Sequence, residues 1–151
     1  MNGRPLPCGP EEIGSLFLFE KLSDAQLERL CREGRVERFD PGPVYAEGEP
    51  ATCFYVLLQG TVVLSRRVGG DDVEVVRSSQ PGAYAGAMQA YLGDRMPQVY
   101  NNSMRVTEPT RFFVLSAGTF SDVVHEWFPM AVHLLEGLFF GSRNAQATVG
   151  Q

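Results

Sequence analysis

The side chains that could do catalytic or metal chemistry are few and scattered. Three cysteines, Cys8, Cys31 and Cys53, and two histidines, His125 and His133, are all the chain holds of those types. Three thiols with no paired spacing predict neither a disulfide framework nor a zinc site, and read as buried or incidental thiols in a reducing compartment. Both histidines fall in segments expected to be terminal helices, away from any carboxylate cluster, and read as packing or surface residues. No nucleophile stands at a plausible spacing from a base, and no phosphate-cradling glycine loop followed by lysine occurs. The expectation is therefore no catalytic constellation, no metal and no cofactor. Thirteen basic against eighteen acidic side chains give a formal charge of −5. That balance argues against the broad cationic surface that nucleic acid requires, while leaving room for one small anion site. No apolar run is long enough for a membrane span or a signal peptide, so the expected location is the cytoplasm, with no membrane partner.

The elements that would position any site alternate in character along the chain. At 151 residues, 44% hydrophobic and 21% charged, the chain fits one globular domain. Ser23-Asp24-Ala25-Gln26 has the form of a helix capping box, with Leu22 and Leu27 spaced as a hydrophobic staple. The helix that follows carries Leu27, Leu30 and Cys31 on one face and ends near Gly34. Short runs rich in β-branched and aromatic residues then alternate with glycine turns, at 36–39, 44–46, 54–58, 61–68, 73–76, 104–106 and 112–115. Gly69-Gly70-Asp71-Asp72 reads as a hairpin tip, with Arg66-Arg67 and Asp71-Asp72 on its solvated face. Helical character returns at 119–127. Pro129 is placed to start another helix bearing an apolar stripe of Met130, Leu134, Leu135, Leu138 and Phe139. The fold class expected is mainly β with flanking helices: a double-stranded β-helix, or jelly-roll-like β-roll, of about eight short strands with one helical region before it and two helices after. Residues 1–9 read as a flexible N-terminus, 10–140 as the domain and 141–151 as a linker.

One stretch has a more specific look. Gly48-Glu49-Pro50-Ala51-Thr52-Cys53-Phe54-Tyr55-Val56-Leu57-Leu58-Gln59-Gly60-Thr61-Val62, with Pro41-Gly42 upstream, resembles the cyclic-nucleotide-binding domain family, which includes the catabolite activator protein and the protein kinase A regulatory subunit. The physics agrees: Gly42, Gly48 and Gly60 stand where tight corners must join short strands, and glycine takes positive φ without cost. Phe54, Val56 and Leu58 should face one side of their strand, Tyr55 and Leu57 the other. The resemblance runs from about Leu16 to about Phe139. A metal-binding cupin, which shares the roll architecture, needs clustered His and carboxylate ligands on inner strands, and both histidines lie elsewhere.

The resemblance implies a phosphate-binding cassette after a Gly-x-x-x-Gly-Glu sequence, where helix N-terminal amides and a later arginine hold the cyclic phosphate and the glutamate takes the ribose hydroxyl. The matching stretch is Gly82-Ala83-Tyr84-Ala85-Gly86-Ala87, followed by Met88. Both glycines are kept, but Ala87 replaces the glutamate. Counting back from Ser103-Met104-Arg105-Val106 puts Tyr100 at the arginine position, with Asn101 and Asn102 after it. Arg95 does not match the motif's spacing and reads as an exposed turn cation. Hydrogen bonds to charged groups contribute roughly 1.5–3 kcal/mol each, so both losses should weaken cyclic-nucleotide binding by on the order of several powers of ten. A phenol and two amides suit an uncharged or differently shaped ligand, or none. Equally, Tyr100 to Asn102 reads as a strand-edge turn without a binding role, and 83–87 as a short helix lead-in that packs Tyr84.

Three functions follow from this reading. The first is a sensory or regulatory domain of a signalling protein, an N-terminal fragment preceding an effector such as a histidine kinase after Gln151. The second is the sensor part of a transcription regulator. The third is a ligand-free dimerisation or interaction module, with Leu134, Leu135, Leu138 and Phe139 forming a homodimer or effector contact.

Overall fold

The computed structural model describes residues 4–127, residue 131 and residues 133–135. In chain order the elements are β1 (Arg4–Leu6), α1 (Pro10–Gly14), α2 (Asp24–Glu33), β2 (Arg35–Phe39), β3 (Gly42–Tyr45), β4 (Cys53–Gln59), β5 (Val62–Val68), β6 (Asp71–Ser78), β7 (Tyr84–Gly86), β8 (Ser103–Val106), β9 (Thr110–Ser116) and α3 (Ala117–Glu126). Short 3₁₀ segments occupy Phe17–Phe19 and Met88–Arg95. The strands form two antiparallel sheets, one in the order β1-β2-β9-β4-β7 and the other β3-β8-β5-β6. The mainly β roll with flanking helices is the fold class expected.

The central strands of the first sheet, β4 and β9, are buried on both faces, and this explains why they read as continuous apolar runs. Phe54, Val56 and Leu58 of β4, with Phe113 and Leu115 of β9, pack against Ile13, Phe19, Leu27, Leu30, Phe120 and Val123 on the helical side. Tyr55 and Leu57, with Phe112 and Val114, face inward onto Val44, Val62, Met104 and Val106 of the second sheet. The alternation expected in β4 is thus observed, with neither side left to solvent. The β4–β9 register sets Val56 against Phe113 and Tyr55 against Val114, so each face meets its own kind.

Local chemistry fixes the turns. Ser23 accepts from the Gln26 amide at 3.2 Å while the Gln26 side chain accepts from the Ser23 amide at 2.8 Å, completing the capping box. The β5–β6 hairpin turns at Gly69 and Gly70, with φ of 59° and 90°. Such positive angles suit a tight two-residue turn of the primed type. Across it Arg67 pairs with Asp72 at 3.6 Å, both side chains well exposed. Gly60 has φ +120°, and a Cβ there would lie 2.2 Å from Thr110 Oγ1. Gly48 has φ +87° but open space around it.

Four expectations are corrected. Cys8 and Cys31 are joined in a disulfide, their Cα atoms 5.6 Å apart. A separation of 23 residues is no signature in sequence; the pairing arises because the chain entering α1 packs beside α2. The cysteine count therefore no longer argues for a reducing compartment, and Cys53 alone is a free thiol. The N-terminal stretch expected to be flexible contains β1, paired with β2 through Arg4↔Arg38, Pro5↔Glu37 and Leu6↔Val36. Residues 84–86 are a strand on the edge of β4, not a helix lead-in. The helix expected at 119–127 starts earlier, at Ala117, because Ser116 caps it by accepting from the Thr119 amide at 3.2 Å. The expected Pro129 helix start and Met130 lie outside the described residues, although 131 and 133–135 are helical.

Candidate functional site

The cassette segment is built on the edge of β4. The Gly82 amide donates to the Leu57 carbonyl and the Leu57 amide to the Ala83 carbonyl, both at 2.7 Å. Gly82 takes φ +95° to make that corner. Strand β7 then runs antiparallel along Phe54 to Val56. At its end Gly86 has φ +115°, and a Cβ would meet the Cys53 carbonyl oxygen at 2.5 Å. Backbone approach this close admits only glycine. The Ala87 amide donates to the Cys53 carbonyl at 2.9 Å, and Ala87 is fully buried.

Beyond it, Met88 packs against the helical-side core and the 3₁₀ segment kinks at Gly93. Two amide side chains that sequence reasoning passed over close this loop. Buried Gln89 donates to the Val99 carbonyl and, at 3.4 Å, to that of Pro97. Gln98 donates to the carbonyls of Gln89 at 3.2 Å, Gly93 at 2.7 Å and Met96 at 3.1 Å. Nothing local marks these two glutamines; their partners are visible only in three dimensions.

The returning segment runs beside residues 48–51. The Gly48 amide donates to the Tyr100 carbonyl and the Tyr100 amide to the Glu49 carbonyl, each at 2.9 Å. Tyr100 is thereby aimed inward, 4% exposed. Its ring stacks on Tyr45, centroids 3.8 Å apart. Its hydroxyl oxygen accepts from the Thr52 and Cys53 amides at 3.2 and 3.1 Å, with Thr52 Oγ1 at 3.4 Å. Tyr45 in turn donates to Asn102 Oδ1 at 2.6 Å, while Asn101 and Arg95 are exposed. Ala87 and Tyr100 share one buried cluster with Tyr45 and Tyr55. Burial pushes the Tyr45 phenol well above its ordinary range, with Tyr100 adding to the effect. Burial does the same to Tyr55, with Cys53 the next contributor. A cluster of neutral phenols of this kind supplies no cation to balance an anion's charge.

Next to this cluster lies a cavity of about 50 Å³, lined by Tyr55, Val62, Leu64, Met104 and Phe112 on the roll side and by Ala83 to Ala85 on the cassette side. Tyr84, one of its walls, donates from its hydroxyl to the Leu134 carbonyl at 3.1 Å. Its phenol is pushed up to about 12 by burial. Leu134 itself is 2% exposed and packs into the helical-side core, so it is not free surface, whereas neighbouring Leu135 is 58% exposed. Leu138 and Phe139 lie outside the described residues. His133 is buried, stacked on Phe17 at 4.7 Å, with Glu20 at 3.4 Å. His125 is exposed, its Nδ1 2.8 Å from the Ser121 carbonyl. Among the described residues no group of three or more His, Cys, Asp or Glu is placed to hold a metal, and no helix is long and apolar enough to cross a membrane.

A roll with a glycine-cornered cassette strand on its edge defines a structural class, and the comparisons give its family. The cyclic nucleotide-binding domain model matches residues 36–126, and the chain belongs to that family. A cyclic nucleotide-binding domain from Methylobacillus flagellatus KT superposes with a TM-score of 0.76 at 19% identity, covering 98% of this chain and 88% of that one. The sensor domain of the transcriptional regulator DNR from Pseudomonas aeruginosa gives 0.70 at 23% identity, covering 91% and 96%. The Thermus thermophilus catabolite activator protein gives 0.68 at 18% identity, covering 89% of this chain but only 62% of the other. These likenesses are of fold. No curated protein sequence matches the chain. Domains of this family are regulatory and not catalytic.

Proposed function

We propose that this chain is the regulatory domain of a larger signalling protein and that its cassette does not grip cAMP or cGMP in the family's usual way. One observation carries the reading: Tyr100, at the arginine position, is buried with its hydroxyl committed to the Thr52 and Cys53 amides. It cannot turn outward to a phosphate without taking its oxygen from both amides, which costs about 1–3 kcal/mol. Ala87 offers no carboxylate for a ribose. Calorimetry with cAMP and with cGMP tests this, the expected result being no saturable heat at micromolar ligand. Micromolar affinity that Arg95→Ala abolishes would overturn it, because Arg95 would then supply the missing cation.

A second reading, an interaction module without a ligand, is favoured by the small size of the cavity beside the cassette. About 50 Å³ is far below the roughly 300–1,000 Å³ of ordinary ligand sites. Output in either case runs through the C-terminal helices, toward a second copy or an effector segment after Gln151. Exposed Leu135 supports that route, with Leu138 and Phe139 continuing the same sequence stripe. The effector's class, histidine kinase or transcription regulator, is part of the proposal; the likeness to a regulator's sensor domain supports the latter. Sedimentation over a range of concentrations, with Leu135→Asp as the control, tests the homodimer.

A further inference from the structure

We propose that Cys8 and Cys31 form a redox site whose state decides whether the β2 edge of the first sheet is covered. Strand β1 is the cover, and little holds it. Its three residues are all exposed, with Leu6 at 36%. Its central residue is Pro5, which has no amide to donate to the ladder. Arg4 pairs with Asp40 at 3.1 Å, with both side chains more than half exposed; pairs of that kind contribute little.

What keeps β1 in place is the short tether. The disulfide pins the chain at Cys8, two residues beyond Leu6, to Cys31 on α2. Without it the nearest strong anchors are Glu12, whose carboxylate meets Arg111 at 2.7 and 3.1 Å, and Ile13, fully buried. Lengthening a flexible tether lowers the local concentration of its free end, so a strand of three weak residues should detach. Those same anchors keep α1 seated, which confines the release to the residues before it.

Both cysteines are only partly buried against the core, so exchange reagents have access. The step balances as thiol–disulfide exchange with a small-molecule disulfide. One thiolate attacks that reagent and releases one small thiol; the second thiolate then attacks the mixed disulfide, forming the Cys8–Cys31 bond and releasing the other. Two electrons and two protons pass from the protein to the reagent, and a small dithiol reverses the reaction.

The test compares the whole chain equilibrated with oxidised and with reduced glutathione, by thiol alkylation with mass spectrometry and by hydrogen exchange. Mass spectrometry should find Cys8 and Cys31 joined to each other in the first state, and alkylation should find all three cysteines free in the second. Amide exchange at Arg4, Leu6 and the β2 positions that face β1 should quicken on reduction by at least about tenfold, with β4 and β9 unchanged. The double variant Cys8→Ser, Cys31→Ser should show the fast pattern without reductant, and Cys53→Ser should keep the redox response. Equal exchange in the two states, failure of the bond to form, or loss of protection throughout the roll would each overturn the proposal.

Discussion

The β4–β9 pair and the cassette sit side by side in one sheet, yet they keep different things. In the pair, side chains and backbone serve the same end. Phe54, Val56, Phe113 and Leu115 face the helices while Tyr55, Leu57, Phe112 and Val114 face the roll interior. In the cassette, the backbone retains every corner its neighbour strand requires, at Gly82, Gly86 and the Ala87 amide, while the polar side chains expected on it are replaced by residues that pack. The lesson is that a binding loop's path is set by the strand it hangs on, whereas its chemistry is free to change once packing replaces it.

The largest effect expected in a test of this contrast is at Gly60. Valine there must adopt φ +120° and drive a Cβ into Thr110, which combines backbone strain with overpacking and should cost about 4 kcal/mol in denaturant unfolding. Gly48→Val meets only the strain, since its surroundings are open, and should cost about 2 kcal/mol. Equal costs at the two glycines would break the claim that close backbone approach, beyond φ alone, shapes the β4 corner.

On the cassette side, Tyr100→Phe removes the acceptor for the Thr52 and Cys53 amides. It should destabilise the domain by about 1–3 kcal/mol, read as a lower denaturation midpoint with an unchanged slope. A neutral result would mean that the phenol is not part of the scaffold, and would reopen the cassette as a ligand site.

The smallest effect concerns pH. Burial raises the Tyr84 phenol from 10.0 to about 12 in the folded state. A raised folded value means that its contribution is complete below pH 10 and is lost as pH rises from 10 toward 12, because the unfolded chain ionises first. Tyr84→Phe should flatten that alkaline decline in stability relative to the native chain; identical curves would show that the hydroxyl is not held as described.

Much of this molecule was legible in its residues because the signals are local. The Ser23–Gln26 capping box, the Gly69-Gly70 turn, the corners at Gly48 and Gly60 and the alternation of β4 each depend on a few neighbouring residues and their allowed dihedral angles. Strands β1 and β7 escaped notice because three-residue pieces such as Arg4–Leu6 and Tyr84–Gly86 carry no periodicity and exist only through their partners. The replacements at Ala87 and Tyr100 were visible by position, but whether Tyr100 would face a ligand or the core was not. That was decided by residues 48–53, which lie alongside it and present two amides to its hydroxyl. The same holds for Cys8 and Cys31, for Gln89 and Gln98, and for Leu134, which the stripe suggested as surface and the fold buries. Local preference is written within a turn or two of chain, whereas the partner of a thiol, an amide or a phenol is chosen by distances that only the packed sheets and helices set.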